Sequence, residues 1–295
     1  MARWDKPKRD GIPDWFWHCV DNRPRVGQIE VDECDVVYKS WGEAGKPGLL
    51  LLHGMFAHSH WWDFIAPQLI DRYHVVAMDL TGMGDSDFRY QYNADTYTEE
   101  ILAVSEAAGL DHAAWLVAHS FGGTLAVKTA NRYPDRFAGL ILVDSGIRAP
   151  DEPVPDRPPM GGRAIIYPDK ESALSRFRLQ PPQDCENRFL LEYIARKSLM
   201  PAEGGWAWKF DDDLPQSLSG VERSAEDYSS LNLPVGLIYG TDSKLLSQAS
   251  RDYMQELIPG DFRSVALERA QHHVFLDQPL EFVRSLKTLL QAFAH

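Results

Sequence analysis

Ser120, in the segment AHSFGG (residues 118–123), has the surroundings that a catalytic nucleophile requires. The segment joins a predicted buried strand to a predicted helix. A sharp strand–turn–helix corner lifts the serine hydroxyl clear of the backbone and directs the helix N-terminus at the reacting carbonyl group. Small residues must flank such a corner so that strand and helix can approach, and Ala118 and Gly122 supply them. A serine that only caps a helix gives the same short motif, so the prediction depends on the preceding strand.

Two histidines and three aspartates follow other predicted strands and could complete a proton relay with this serine. His272 and His273 come after the last predicted strand, whereas Asp79, Asp144 and Asp242 each follow an earlier one. In a triad the imidazole accepts the hydroxyl proton, and the carboxylate holds the ring in the correct tautomer. The sequence therefore indicates nucleophilic catalysis of acyl transfer.

The elements that must position these residues alternate along the chain. A hairpin is predicted first, and the later strands are separated by helices, one of them predicted at 61–70. The predicted strands lie at 26–29, 35–39, 48–54, 74–80, 113–119, 140–145, 234–240 and 262–268. Alternating buried strands and helices indicate βαβ units and hence a mostly parallel sheet.

The alternation is interrupted between Gly146 and Leu233. Six prolines within 150–168 predict an irregular start to this stretch, and two amphipathic helices are predicted further on, at 172–179 and 188–200. We therefore predict three parts, which are a first part of an α/β core (1–145), an inserted lid (146–232) and the second part of the core (233–295).

The overall composition excludes several classes of function. Thirty Lys and Arg residues against 43 Asp and Glu residues give a net charge of −13, which disfavours nucleic acid and anionic membranes as partners. Three widely spaced cysteines predict neither a disulfide framework nor a zinc site. Neither a secretory signal nor a membrane span is predicted, so we expect a soluble cytoplasmic protein. The oligomeric state is not predictable from the sequence.

The sequence resembles the α/β-hydrolase family over residues 26–145 and 233–294. The resemblance depends on ordered motifs, namely LLHGMFAHSHWW, DLTGMGDSD, AHSFGG, YGTDS and QHHVFLDQP. It implies an eight-stranded, mostly parallel sheet flanked by helices, a helical lid after the sixth strand, and a Ser–His–acid triad.

By this resemblance Ser120 is the nucleophile and His272, seven residues before Pro279, is the base. Asp242 is the expected acid because the family has the chain order Ser, Asp, His. Asp144 occupies the position that some relatives use instead, and it stays open as the alternative.

The resemblance also implies an oxyanion hole formed by the backbone N–H groups of Met55 and Phe121. Two fixed N–H dipoles stabilise the negative charge that develops on a tetrahedral intermediate. The motif His53–Gly54 begins the loop that donates the first of them, and we expect His53 to hydrogen-bond within that loop rather than to act as the base.

Aromatic residues near the motifs could form the wall of a substrate pocket or could simply pack. Both alternatives stay open for Trp206 and Trp208 in the predicted lid and for Trp61 with its neighbour Trp62. His273 is expected at the pocket rim.

No cofactor and no metal are predicted. The glycine pair in DLTGMGDSD lacks the third small residue of a dinucleotide-binding motif, and His53, His58 and His60 have no nearby carboxylate cluster.

The predicted function is hydrolysis of a carboxylic ester, or a related acyl bond, of a small apolar substrate through an acyl-enzyme. A carbon–carbon bond hydrolase that acts on a diketone stays open because it uses the same triad, although HGMFAH replaces the glycine-rich HGGGPG loop. A ligand receptor on a hydrolase scaffold is the alternative outside catalysis.

Overall fold

A central sheet of eight strands positions the motifs in the computed structural model, which describes residues 11–110, 113–153 and 165–294. The strands are β1 (Arg25–Val31), β2 (Cys34–Trp41), β3 (Gly48–Leu52), β4 (His74–Met78), β5 (Tyr92–Asn93), β6 (Ala114–His119), β7 (Phe137–Val143), β8 (Leu199–Ala202), β9 (Gly205–Trp208), β10 (Leu218–Ser219), β11 (Val235–Gly240) and β12 (Phe262–Leu267). The central sheet has the order β1-β2-β4-β3-β6-β7-β11-β12.

Helices cover both faces of this sheet. They are α1 (Asp14–Asp21), α2 (Ala94–Ala107), α3 (Phe121–Arg132), α4 (Lys170–Leu174), α5 (Arg188–Lys197), α6 (Leu214–Ser217), α7 (Ala225–Ser229), α8 (Gln248–Leu257), α9 (Val274–Asp277) and α10 (Pro279–Ala292). The predicted fold class is confirmed, because β1 and β2 form an antiparallel hairpin and all six later strands of this sheet run parallel to one another.

The apolar strand β3 shows how the sheet divides the core. Leu49 and Leu51 point into the cluster that contains Phe16, Trp62 and Phe275, whereas Leu50 and Leu52 point into the cluster on the other face. All four leucines are fully buried. Successive side chains of a strand point to opposite faces, so a continuous apolar run is the pattern of a strand with helices on both sides.

The helix predicted at 61–70 is wrong. The stretch forms two short 3-10 turns, Ser59–Trp62 and Ala66–Gln68. Pro67 lacks the N–H that a helix interior needs. Trp61, Trp62 and most of their neighbours are buried, so the stretch has no solvent-exposed face that an amphipathic helix would show.

The segment between β7 and β11 contains α4 to α7 and a small antiparallel pair, β8 and β9. One strand of this segment, β10, pairs in parallel with β5, which belongs to the first part of the chain. Among the described residues, no helix is both long and apolar enough to cross a membrane.

Candidate active site

Ser120 lies at a sharp corner between β6 and α3, with a φ of 52° and a ψ of −113°. A positive φ is rare for a residue that has a Cβ atom, and such strain is characteristic of functional sites. The corner is held on both sides, because the Ser120 N–H donates to the Val143 carbonyl (3.2 Å) and the Ser145 hydroxyl donates to the Ser120 carbonyl (2.7 Å).

Glycines allow three segments to meet at this corner. A Cβ atom on Gly122 would lie 2.5 Å from the carbonyl oxygen of His53, and one on Gly123 would lie 2.3 Å from Oγ of Ser145. Neither position has room for a side chain. The loop after β3 is also close, since a Cβ atom on Gly54 would lie 3.2 Å from Cβ of Ser120.

His272 lies in the loop after β12, and its Nδ1 is 2.7 Å from Oδ2 of Asp144. Both side chains are nearly inaccessible, with 5% of the histidine and none of the aspartate exposed. The Asp144 carboxylate also accepts hydrogen bonds from the backbone N–H of Gly240 (3.2 Å) and the hydroxyl of Ser243 (2.6 Å). The carboxylate is therefore held in place while it accepts the hydrogen bond from Nδ1–H of His272.

The structure corrects the predicted partner of His272, which is Asp144 and not Asp242. Asp242 is exposed, and its carboxylate accepts from the adjacent Thr241 hydroxyl (3.3 Å). The reason is topological: Asp144 follows β7, which lies between the strand that ends at the nucleophile and β11. Asp242 instead lines an open groove of about 620 Å³ together with Asp184 and Asp277.

His119 connects the serine corner with the histidine loop. Its Nε2 donates to the backbone carbonyl of His272 (3.1 Å), and the two rings lie 4.7 Å apart. Because His119 directly precedes Ser120, this bond fixes the position of His272 relative to the serine. Sequence analysis did not single out His119.

Burial keeps the neighbouring imidazoles neutral. It holds the pKa of His119 and that of His273 well below the usual value, and the nearby His272 acts in the same direction. The carbonyls of Gln180 and Pro181 oppose this effect at His273 without overcoming it. Two neutral rings therefore surround the histidine that is paired with Asp144.

The two residues predicted to form an oxyanion hole lie next to the serine corner. Phe121 is the first residue of α3, and Met55 follows Gly54 in the loop that packs against Ser120. His53 is engaged within its loop, since Nδ1 lies 2.8 Å from the Gly54 carbonyl and Nε2 accepts from the N–H of Leu80 (3.1 Å).

A cavity of about 240 Å³ opens beside this loop. Its apolar wall comes from both the core and the segment 146–232 and consists of Met55, Phe56, Trp61, Phe177, Leu179, Trp208 and Phe210. The volume lies just below the range of about 300–1,000 Å³ that is usual for small-molecule sites, which are concave and mostly apolar.

The other predicted pocket residues lie outside this lining. Trp206 stands two residues before Trp208, roughly 7 Å further along the strand, and the Lys170 ammonium group covers its ring at 4.2 Å. His273 lies behind the pocket wall, with its ring 5.3 Å from that of Trp61. Trp62 is fully buried against Phe275 and is a core residue.

Within the described ranges, His119, His272 and His273 form one group that could ligate a metal, with ring nitrogens within 4.8 Å of one another. Nδ1 of His272 is occupied by Asp144, and Nε2 of His119 is occupied by a carbonyl group. A metal there would have to displace these bonds.

A buried polar cluster beside the site also escaped sequence analysis. Asp63 accepts from the Lys39 ammonium group (3.2 Å) and the Tyr193 hydroxyl (2.6 Å), and it lies 2.5 Å from the ring of His60. Burial raises the pKa of Asp63, but the Lys39 ammonium group and the hydrogen bonds from His60 and Tyr193 outweigh it and hold that pKa far below its usual value. Lys39 occurs in a predicted strand, where nothing in the sequence marked it as buried.

Comparison with known proteins identifies the class. A model of the alpha/beta hydrolase family matches residues 49–285. Together with the strand order and the serine corner, this match shows that the chain belongs to the alpha/beta hydrolase family.

Individual relatives are more distant. A pimeloyl-(acyl-carrier protein) methyl ester esterase of Aeromonas hydrophila is 29% identical over 255 residues, which cover 82% of this chain and 94% of the relative. The thioesterase domain from a curacin biosynthetic pathway superposes with a TM-score of 0.75 at 24% identity, over 90% of this chain and all of that domain. An E-2-(acetamidomethylene)succinate hydrolase gives a TM-score of 0.74 at 21% identity, over 91% of this chain and all of the other.

Proposed function

We propose that the protein is a serine esterase that cleaves a carboxylic ester of a small molecule through an acyl-enzyme. The main support is the bond between Asp144 and His272 beside the strained corner at Ser120. The 29% identical relative from Aeromonas hydrophila is named as a methyl ester esterase, which agrees with ester rather than amide or carbon–carbon chemistry.

In the proposed reaction, the Ser120 hydroxyl gives its proton to Nε2 of His272 while the oxygen attacks the ester carbonyl carbon. Asp144 keeps the other ring nitrogen protonated and stabilises the imidazolium that forms. The carbon–oxygen bond of the ester then breaks, and the leaving alkoxide takes the proton from His272. Water repeats the sequence on the acyl-enzyme and releases the acid.

The N–H groups of Met55 and Phe121 would stabilise the negative oxygen of each tetrahedral intermediate. The position of Phe121 directly after Ser120, and the close approach of the Gly54–Met55 loop to Ser120, support this role. The segment 146–232 would act as the lid, because Phe177, Trp208 and Phe210 from that segment complete the cavity beside Met55.

The proposal is tested by a hydrolysis screen over neutral esters, lactones, amides and diketones. Ser120→Ala should lose about 10⁴-fold or more in kcat/KM while its circular dichroism spectrum stays unchanged. A fluorophosphonate probe should label the wild type at Ser120 and fail to label the variant. Activity near the wild-type level in Ser120→Ala would remove this serine from the mechanism.

The screen also separates the alternatives. Turnover of a diketone in preference to every ester would favour the carbon–carbon bond hydrolase. Tight binding of the hydrolysis product with barely measurable turnover would favour a receptor.

A further inference from the structure

The lining of the cavity beside Met55 carries positive charge, in contrast to the molecule as a whole. Arg176, Arg178 and Lys209 all line it, and none of its described lining residues is an Asp or a Glu. The chain has a net charge of −13, and the larger groove that contains Asp242 is lined by five acidic residues and two arginines. The three cationic side chains at this cavity therefore contrast with the excess of acidic residues in the chain.

Two of the three cations lack a carboxylate partner in the described part of the chain. Lys209 pairs with Asp85, whereas neither Arg176 nor Arg178 forms an ion pair with any described residue. Where the structure describes the chain, the acceptors of Arg178 are neutral, namely the carbonyls of Ser175 (3.0 Å) and Phe177 (2.6 Å). Both guanidinium groups therefore have positive charge available for a ligand.

The backbone that carries these arginines is held in place. The N–H of Arg176 donates to the Ala173 carbonyl (2.9 Å), and that of Phe177 donates to the Leu174 carbonyl (3.2 Å). Between the two arginines, the ring of Phe177 packs on that of Trp208 at 5.8 Å. The planar guanidinium group, with its fixed fork of donors, suits bidentate binding of carboxylate or phosphate.

We propose that Arg176 and Arg178 form an anion-binding subsite, so that the substrate is an ester that also bears a carboxylate or phosphate group. This inference rests on the proposed esterase function. In this proposal the apolar wall holds the hydrocarbon part of the substrate, the two arginines bind the anion, and the ester reaches Ser120. The preference thereby refines the expectation of a purely apolar substrate.

The experiment compares matched esters that differ only in charge. The probes are monoethyl esters of linear dicarboxylic acids, the neutral ester amides of the same length, and the corresponding ω-phosphooxy ethyl esters. The measured quantity is the ratio of kcat/KM for each anionic ester to that of its neutral counterpart, in the wild type and in the double variant Arg176→Gln/Arg178→Gln. Arg72→Gln is the matched control, because Arg72 is exposed and lies just before β4, at the amino ends of the parallel strands, whereas Ser120 follows the carboxyl end of β6.

We expect a ratio of about ten or more for the wild type, falling towards one in the double variant and kept in the control. A preference confined to the carboxylate series or to the phosphate series identifies the source of the anion. A wild-type ratio of one or less, or a ratio that survives loss of both arginines, overturns the proposal.

A binding measurement separates this inference from the proposed function. Ser120→Ala is titrated with suberate and with the neutral suberamide, and tryptophan fluorescence is recorded because Trp61 and Trp208 line the cavity. Binding of suberate that requires both arginines supports the subsite even if no ester is hydrolysed. Hydrolysis of neutral esters without any preference for anionic ones would support the proposed esterase function and overturn the proposed anion-binding subsite.

Discussion

At the scale of single residues, the contacts of His272 determine what its imidazole can do. Nδ1 donates to Asp144, so Nε2 keeps its lone pair and can accept a proton. The hydrogen bond from the His119 ring to the backbone carbonyl of His272 holds the loop that carries His272 in place. His273, the next residue, has its ring against Trp61 and its backbone N–H bonded to Gln183 (2.9 Å).

This arrangement predicts that the two adjacent histidines have unequal effects on catalysis. His272→Ala should lower kcat/KM by about 10⁴-fold, nearly as much as loss of the serine, because no other group replaces the proton relay. His273→Ala should lower it far less, through the shape of the pocket wall. Both variants are assayed on one ester after their fold is checked by circular dichroism. An inactive His273→Ala beside an active His272→Ala would show that the base is His273.

The sequence predicted the residue types of the site better than their pairing. Ser120 and His272 follow strands in the order that the resemblance implies. The choice between Asp144 and Asp242 depends on which strand end faces the histidine loop, and chain order alone does not contain that information. The contact of His119 with His272 and that of Asp63 with Tyr193 each join residues more than 100 positions apart, so no local pattern could identify these contacts.

At the scale of elements, the cluster around Asp63 joins α5 to the sheet. Tyr193 of α5 and Lys39 of β2 meet at this one buried carboxylate. Removal of the charge would leave a buried ammonium group without an ionic partner, which is far more costly than loss of one hydrogen bond.

We therefore predict a graded loss of stability in this cluster. Asp63→Asn should lower the free energy of unfolding by about 3–5 kcal/mol, and Tyr193→Phe by about 1–2 kcal/mol. Glu192→Gln is the control, because it breaks an exposed pair with Arg196 on the same helix and should cost at most about 0.5 kcal/mol. Urea unfolding measures all three. Equal losses in Tyr193→Phe and Glu192→Gln would mean that the buried bond contributes nothing specific.

Elements were predictable where one periodicity dominated. The hairpin and the six later strands of the sheet all lie close to their predicted positions. The helix predicted at 172–179 ends at Leu174, and the chain then turns so that Arg176 and Arg178 reach the cavity. A short amphipathic pattern fits both outcomes, and tertiary contacts such as the packing of Phe177 on Trp208 decided between them.

At the scale of the whole molecule, buried neutral histidines couple folding to pH. Burial lowers the pKa of His53, His58, His119 and His273 in the folded protein. Below about pH 6.5 these histidines are protonated in the unfolded chain but stay neutral in the folded protein. Their contribution to stability is therefore present above that pH and is lost as the pH falls. Some carboxyl groups act in the opposite direction, since burial raises the pKa of Asp277 to about 6 and also raises the pKa of Glu100 and of Asp212.

We expect the free energy of unfolding to fall between pH 7.5 and 5.5 by about 1 kcal/mol for each buried histidine. Urea titrations at several pH values give the slope and hence the number of protons taken up on unfolding. His273→Asn should reduce the number of protons taken up on unfolding by about one. His18→Asn serves as the control because His18 is exposed, and it should leave that number unchanged. A stability that does not change over this range would contradict the neutral, buried state of these rings.

The measurement that tests the central claim most directly compares Asp144→Asn with Asp242→Asn. Both changes are isosteric, and both aspartates follow neighbouring strands of the same sheet. If Asp144 orients His272, its replacement should lower kcat by about 10³- to 10⁴-fold with the fold intact, because the imidazole would be held in the wrong tautomer. Asp242→Asn should stay within a few-fold of the wild type. An active Asp144→Asn beside an inactive Asp242→Asn would contradict the account and return the role of the acid to the loop after β11.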